Sequence, residues 1–230
     1  MNDFFQNSMF AGVTLSLISY MLGVALKKKL KLSIFNPLFI SIIISIAVLC
    51  LGQVDYETYQ EGANLLSYLL TPATVCLAVP LYEQWELLKK NYKAVLCGLL
   101  AGTITSMTTV FLLSTLCNLS HTEYVTLLPK SITTAIGMGV SEELGGYVTI
   151  TVAVIVITGV LGNMIGEFVC KVFHIEESIS KGLAFGASSH AIGTAKAVEM
   201  GEVEGAMSGL AIAVSGIFTV ILASFFAPLI

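Results

Sequence analysis

Residues 144–166, LGGYVTITVAVIVITGVLGNMIG, contain no Asp, Glu, Lys or Arg. A helix needs about 20 mostly apolar residues to cross a hydrocarbon core roughly 30 Å thick, and this stretch is long enough. Five other uncharged stretches also reach that length: residues 4–26, 32–54, 62–82, 94–122 and 205–230. The pattern predicts six membrane-spanning helices.

The composition agrees with a membrane protein. Hydrophobic residues make up 56% of the chain, charged residues 11%, and the mean hydropathy is +0.88. So little charge cannot cover the surface of a globular protein with polar groups. The apolar runs are continuous and do not alternate, which predicts a helical bundle. The net charge of −4, without a basic stripe, argues against nucleic acid as a partner.

Two further uncharged stretches, residues 131–141 and 182–195, are too short to cross a membrane. We interpret each as a segment that enters the membrane and returns. The predicted fold is therefore all-α: a polytopic helical membrane protein with six long spans and two short re-entrant or broken helical segments. The alternative is eight spans with unwound crossing helices, because broken helices are common in transporters.

We treat residues 1–230 as a single integral membrane domain. Polar interruptions at residues 71–74 and 188–194 leave a weak two-half repeat open, with halves at residues 1–119 and 120–230. No P-loop, GxGxxG motif or metal-spaced His/Cys cluster occurs, so no cofactor or metal is expected.

Lysines predict the orientation, because the Lys/Arg-rich side of a membrane protein is cytoplasmic. Two groups of lysines read as cytoplasmic loops: Lys27, Lys28, Lys29 and Lys31 after the first span, and Lys89, Lys90 and Lys93 after the third. The start, Met1-Asn2-Asp3, lacks the basic region of a secretory signal. We expect a multi-pass protein of the cytoplasmic membrane with its N-terminus outside.

The first short segment suits an anion. A helix that begins after Pro129 leaves free N–H groups at its start, close to the Lys130 ammonium. The hydroxyls of Ser131, Thr133 and Thr134 add further donors. We predict that these four residues bind a small carboxylate. The alternative is ordinary capping, with Lys130 reaching towards water.

The second short segment contains Ser188, Ser189, His190, Gly193 and Thr194, which we also predict to bind substrate. Small residues let the backbone approach a ligand, and a histidine can donate to a carboxylate or move a proton near neutral pH. The alternative is a histidine that is hydrogen-bonded between helices.

Ionisable groups beside both segments are candidates for proton or ion coupling: His190, Glu143, Lys196 and Glu199. The alternative for two of them is a salt bridge, because Glu199 lies three residues after Lys196 on one helix face. An enzyme is not expected. The adjacent Ser189 and His190 point in different directions on a helix and do not form a hydrolase site.

The chain resembles the LrgB/CidB family of bacterial membrane proteins, which also supplies part of the plastid glycolate/glycerate translocator of plants. Matching stretches include LPKSITT at residues 128–134, ELGG at 143–146 and SHAIGTAKA at 189–197. Other matches are NPL at 36–38, PATVCLAVPLY at 72–82 and VEGA at 203–206. The resemblance covers nearly the whole chain.

The resemblance implies two functions. One is transport of small 2-hydroxy or 2-oxo monocarboxylates such as pyruvate, glycolate or glycerate. The other is a holin/antiholin-like effector of murein hydrolase activity and autolysis, with a small membrane partner of the LrgA/CidA type. Two segments rich in donors for an anion favour the transporter, because a pore-forming regulator does not need them.

Two expectations concern arrangement. Small residues on two spans predict close helix contacts and a homo-oligomer, most simply a dimer: Gly98, Gly102, Gly159, Gly162 and Gly166. Segments that enter from opposite faces should also meet near the midplane. That meeting would place Ser189, His190 and Thr194 beside Thr133 and Thr134.

Overall fold

The computed structural model describes residues 10–30, 37–69 and 78–230, together with residues 5, 8, 72, 75 and 76 singly. Throughout these residues the regular structure is helical, as predicted. Contacts divide the chain into two compact units, Met1–Cys76 and Leu77–Ile230. The weak repeat would divide the chain elsewhere, at residue 119. Both the repeat and the single membrane domain stay predictions.

The first unit contains α1 (Ala11–Leu30), α2 (Pro37–Gly52) and α3 (Tyr56–Tyr68). α1 packs closely on α3 at Gly12, where an added Cβ would lie 2.5 Å from the Tyr59 carbonyl oxygen. The Ser16 and Tyr59 hydroxyls are 2.7 Å apart and share a hydrogen bond. A side chain at position 12 would therefore separate the two helices.

The second unit contains the remaining helices. They are α4 (Ala78–Glu83), α5 (Trp85–Leu116), α6 (His121–Leu127), α7 (Thr134–Glu143), α8 (Val148–Val172), α9 (Ser178–Met200) and α10 (Glu202–Phe226), followed by a 3-10 turn at Ala227–Leu229. α5, α8 and α10 are long and apolar enough to cross a membrane, and α2 is apolar but shorter. The count of six spans stays a prediction, because residues 70, 71, 73, 74 and 77 of the third predicted span lie outside the described residues.

α6 and α7 form a first helical hairpin, residues 121–143. A capping box at Ser120 and Glu123 starts α6. The two arms lie side by side, because the Thr151 hydroxyl donates to the carbonyl oxygen of Thr126 at 2.9 Å and also lies 2.7 Å from the hydroxyl of Ser141, from which it can accept. The chain therefore reverses direction at residues 128–133, between the two helices. The short segment predicted to enter and return, residues 131–141, covers mainly the second arm, whereas the first arm, residues 121–127, begins at the end of the stretch predicted as the preceding span.

α9 is a second helical hairpin, because its helix breaks at His190, where φ is 43° and ψ is −136°. Beyond the break the chain folds back. A Cβ added at Gly193 would lie 2.5 Å from the Phe185 carbonyl oxygen, although an unbroken helix would separate these residues by about 12 Å. Phe185 and Ala197 also share one buried apolar cluster. The two arms of α9 thus pack against each other.

The hairpins approach α8 from opposite ends. The first hairpin packs at the beginning of α8, where the Tyr147 amide donates to the Thr126 hydroxyl at 2.8 Å. The base of the second hairpin packs at the end of α8, where Met200 adjoins the buried Cys170. α5 and α10 pack against each other and against both hairpins. The hairpins therefore lie between α8 and the α5–α10 pair.

Two expectations need correction. The lysines predicted to lie in loops are on helices. Lys27, Lys28 and Lys29 form the last turn of α1, and Lys89, Lys90 and Lys93 belong to α5. A charge-free stretch shows which part of a helix can lie in the hydrocarbon core of the membrane. The helix can continue beyond that stretch, so lysines next to it can still be helical. Lys31 and the residues Met1-Asn2-Asp3 lie outside the described residues.

The second correction concerns the glycines of α8, which pack against another part of the same chain. Gly159, Gly162 and Gly166 face the second hairpin. They are therefore not free to meet a neighbouring subunit. A Cβ added at Gly98 or Gly102 of α5 would meet nothing within 4 Å among the described residues. The homo-oligomer stays a prediction.

Candidate functional site

A polar cleft lies where the two hairpins approach each other, halfway along α5 and α10. It is narrow, with a cavity volume of about 10 Å³, which is room for about one water molecule. Its lining is Thr103, Ser106 and Met107 of α5, Leu128 and Ser131 of the first hairpin, Ala187 of the second hairpin, and Ser215 and Thr219 of α10. Five of these eight residues carry a hydroxyl group, so the lining offers donors and acceptors in an apolar surrounding.

Lys130 stands beside this cleft with hydroxyl partners. Its Nζ donates to Ser131 Oγ at 2.9 Å and to Ser106 Oγ at 3.3 Å. The two serine hydroxyls are 3.2 Å apart. Within the described ranges no carboxylate oxygen lies within 4.0 Å of this ammonium group. The positive charge is half-buried, and its partners among the described residues are neutral, which is an arrangement suited to an anion.

Thr133 and Thr134 start α7 next to this group. Thr133 is the N-cap residue, with φ −65° and ψ 148°, and its side chain makes no capping hydrogen bond. The first backbone N–H groups of a helix have no partner within the helix. Both threonines are half-buried. The first predicted set, Lys130, Ser131, Thr133 and Thr134, therefore occupies one turn at the tip of the hairpin.

His190 lies between the second hairpin and α8. Its side chain is buried, and its Nε2 lies 3.0 Å from the carbonyl oxygen of Ile155. A carbonyl can only accept, so Nε2 donates. The ring occupies the space beside Gly159, where a Cβ would lie 2.8 Å from Nε2. The alternative in which the histidine is hydrogen-bonded between helices matches this contact.

The other predicted residues of the second hairpin mostly make packing contacts. The Thr194 hydroxyl lies 2.7 Å from Ser208 Oγ of α10 and donates to the His190 carbonyl at 3.0 Å. Ser189 is buried against Gly162, and Ser188 is exposed. None of Ser188, Ser189, His190, Gly193 and Thr194 is among the residues that line the cleft. Their substrate-binding role stays a prediction.

The hairpin tips come together on two sides. Ser131 and Ala187 line the same cleft. On the α8 side both hairpins contact Ile155, since a Cβ added at Gly137 would overlap its side chain while His190 binds its carbonyl oxygen. Among the described residues, no hydrogen bond joins His190 to Thr133 or Thr134. The expected placement of these side chains next to one another stays a prediction.

The coupling candidates lie away from the cleft lining. Lys196 forms ion pairs with Glu199 and with Glu167 of α8, each at 3.4 Å. The pairing of Lys196 with Glu199 is confirmed, whereas the contact with Glu167 had no signal in the sequence. Glu143 is exposed near the end of α7. Coupling through these groups stays a prediction.

Sequence reasoning missed Thr103, Ser106, Ser215 and Thr219. Thr103 and Ser106 are three residues apart on α5, and Ser215 and Thr219 are four residues apart on α10. The two hydroxyls of each pair therefore lie on one helix face. That spacing is the only signal for them in the sequence. Isolated hydroxyls in apolar helices usually bond to their own backbone, as Thr103 does with the Leu99 carbonyl at 2.8 Å.

The long apolar helices and the paired hairpins define a helical membrane protein of several spans. A sequence model of the LrgB-like family matches residues 16–229, and the chain belongs to this family. This confirms the resemblance seen in the sequence.

Similar proteins share its full length. The antiholin-like protein LrgB of Bacillus subtilis (strain 168) is 38% identical over 224 residues, which cover 97% of each chain. The antiholin-like protein LrgB of Bacillus cereus (strain B4264) is 36% identical over 222 residues, covering 96% of each. No solved structure gives a significant match. The family description and the names of these relatives mention no enzymatic reaction.

Proposed function

We propose that this chain is a transporter, or the transport subunit of a complex, for small 2-hydroxy or 2-oxo monocarboxylates of the pyruvate, glycolate and glycerate class. One observation carries the proposal. The Lys130 ammonium is held by the Ser131 and Ser106 hydroxyls at the cleft between the hairpins, without a carboxylate partner among the described residues.

The physical reason is the cost of an uncompensated charge. A cation away from water is unfavourable in a low-dielectric surrounding unless an anion or several dipoles offset it. A bound carboxylate would accept from the Lys130 ammonium and from nearby hydroxyls. Such charge-assisted hydrogen bonds are shorter and stronger than neutral ones. The cleft, at about 10 Å³, holds no more than about one water molecule in this conformation, so in this proposal a small anion enters when the hairpins move apart.

The arrangement of the hairpins supports transport over simple binding. Each hairpin enters the bundle from a different end of α8, and the cleft lies where they approach. Broken helices that meet around a central site are a recurring feature of secondary transporters, in which access alternates between the two sides. In this proposal the first hairpin separates the site from one side of the membrane and the second hairpin separates it from the other.

Further parts of the proposal concern location, coupling and assembly. The protein would lie in the cytoplasmic membrane with its N-terminus outside, as a homo-oligomer such as a dimer. A small holin-like membrane protein of the LrgA/CidA type is a candidate partner. His190, Glu143, Lys196 and Glu199 remain candidates for proton or ion coupling, with His190 nearest to the hairpin tips.

The second candidate function is an antiholin-like effector of murein hydrolase activity and autolysis. The names of the similar Bacillus proteins favour it directly, and they favour it over transport. The two functions are compatible in a cell, because a carrier that alters metabolite or proton gradients changes the conditions for lysis. They differ in the purified protein, where only a carrier produces saturable flux of one class of solute.

The test is uptake of labelled pyruvate, glycolate and glycerate into proteoliposomes that contain the purified chain. Saturable uptake, reduced at least tenfold by Lys130→Met, is expected. The matched control is Lys89→Met, which removes an exposed lysine of α5 that pairs with Glu86 at 3.1 Å. That change should leave uptake unchanged. Leakage of unrelated solutes at similar rates, or the absence of flux, would favour the antiholin-like function.

A further inference from the structure

Ser215 of α10 has a buried hydroxyl group without a partner. Its side chain is 3% exposed, and among the described residues its Oγ makes no hydrogen bond. Serines in helices usually bond to the carbonyl one turn back, as Thr109 does with Thr105 at 2.7 Å. A buried hydroxyl that lacks even this bond is unfavourable, so it points to a ligand or a water in the space that it faces.

The space that it faces is the cleft. Two other described hydroxyls are buried and unpartnered, those of Ser19 and Ser114, but neither is in the lining of the cleft. Ser215 lines it together with Ser131 of the first hairpin. Ser131 and Ser106 already bond to the Lys130 ammonium, whereas the Ser215 hydroxyl, on a different helix, bonds to no described residue.

We infer that Ser215 is a specificity-determining residue that binds the oxygen on C2 of the substrate, while Lys130 and Ser131 bind the carboxylate. This inference rests on the proposed function. A small 2-oxygenated acid carries its C2 oxygen next to its carboxylate, and Ser131 and Ser215 line the same cleft. One molecule that enters as the hairpins move apart can therefore contact the first hairpin and α10 at once.

The chemistry of a hydroxyl group defines the class of substrate further. A serine hydroxyl both donates and accepts. It can donate to a 2-oxo group and accept from a 2-hydroxy group, so Ser215 would recognise the presence of the oxygen and not its oxidation state. Acids without an oxygen on C2, such as acetate and propionate, would leave the buried hydroxyl unpaired. Sites built to bond a substrate hydroxyl reject analogues that lack it for this reason.

Binding to the purified full chain in detergent tests the inference separately from transport. Thermal stabilisation by pyruvate, glycolate, propionate and acetate gives a dissociation constant for each acid. For Ser215→Ala we expect pyruvate and glycolate to bind about 3- to 10-fold more weakly, the loss of one neutral hydrogen bond. Propionate and acetate should bind as they do to the parent. Ser215→Cys, whose thiol is somewhat larger and only a weak donor, should likewise lose the preference for acids with an oxygen on C2.

Two control variants show whether an effect of Ser215→Ala is specific to this position and to the oxygen on C2. Ser114→Ala removes an equally buried and unpartnered hydroxyl from α5 outside the cleft, and should change no dissociation constant. Lys130→Met should weaken all four acids together. Equal effects of Ser215→Ala on all four acids, or none, would overturn the inference while leaving transport intact. Selective binding without flux in proteoliposomes would instead overturn transport and keep the assignment of Ser215.

Discussion

His190 and Ile155 are joined by a hydrogen bond of 3.0 Å from an imidazole nitrogen to a backbone carbonyl, at the point where the second hairpin turns. The His190 backbone, at φ 43° and ψ −136°, occupies a region that favours glycine. Such strain costs of the order of 1–3 kcal/mol and persists only where the surroundings hold it. The bond to Ile155 and the ring's position beside Gly159 supply that restraint.

Replacing His190 by glycine or by alanine separates the backbone contribution from the side-chain contribution. Both changes remove the imidazole and its hydrogen bond. Only glycine adopts a positive φ without strain, so His190→Gly should be more stable than His190→Ala by about 1–2 kcal/mol. Unfolding of the two variants in mixed micelles measures the difference. An equal or higher stability of His190→Ala would contradict the strained turn.

Gly162 allows the second hairpin to pack on α8. A methyl group added there would overlap the Ser189 side chain. Gly162→Ala should therefore lower the free energy of unfolding by about 1–3 kcal/mol, the usual effect of overpacking. Gly98→Ala is the matched control, because no atom of the described residues lies within 4 Å of a Cβ at that position. In a helix interior it should raise stability by about 0.5–1 kcal/mol.

The opposite result has a clear meaning for the fold. If Gly162→Ala were as well tolerated as Gly98→Ala, the hairpin and α8 would not be in the observed contact. A partial recovery of stability in the double variant Gly162→Ala/Ser189→Ala would support the contact between the hairpin and α8. Ser189→Ala removes the hydroxyl that the new methyl group meets.

Thr151 fastens the first hairpin to α8. Its buried hydroxyl donates to the Thr126 carbonyl and shares a second hydrogen bond with the Ser141 hydroxyl. Thr151→Val keeps the shape and removes the donor, so stability should fall by about 0.5–2 kcal/mol. Hydrogen exchange of residues 121–143 should become faster than that of the second hairpin. Thr109→Val, which removes only a local bond to Thr105, should leave both unchanged. Uniformly faster exchange throughout would show a general loss of stability.

The uncharged stretches predicted α8 and α10 closely and α5 less well. α5 begins at Trp85, ahead of the uncharged stretch that starts at residue 94, because lysine and glutamate are good helix formers. A break near each short segment could also be predicted, from Pro129 at the first and from the small residues around His190 at the second. The bounds of the first hairpin could not, because its first arm, residues 121–127, lies before the predicted segment. The sites of contact could not be predicted, because no local pattern places Ser106 beside Lys130.

Some residues of the candidate site could be predicted from the sequence, whereas others are brought to it only by the packing of the helices. Lys130 and Ser131 were accessible to sequence reasoning because they are adjacent and follow a proline. Ser215 and Ser106 are single hydroxyls in apolar spans, and only the packing of α5, α10 and the first hairpin brings them to one cleft. His190 looks reactive in the sequence, but in the structure its ring is used to hold a strained turn.

The hairpins make a prediction about topology that the eight-span alternative does not share. In a hairpin both ends lie on one side of the membrane, whereas a crossing segment has its ends on opposite sides. Single-cysteine proteins can report four positions: native Cys117 and Glu142→Cys at the two ends of the first hairpin, and Glu176→Cys and Glu202→Cys at those of the second. All four positions are exposed.

An impermeant maleimide should label Cys117 and Glu142→Cys in intact cells. It should label Glu176→Cys and Glu202→Cys only after permeabilisation, because the lysine distribution predicts that this end faces the cytoplasm. Reversal of both pairs would invert the orientation and keep the hairpins. Labelling of Cys117 and Glu142→Cys from opposite sides would mean that residues 121–143 cross the membrane. The two hairpins would then not approach the cleft from opposite faces, and the gating role proposed for them would fail.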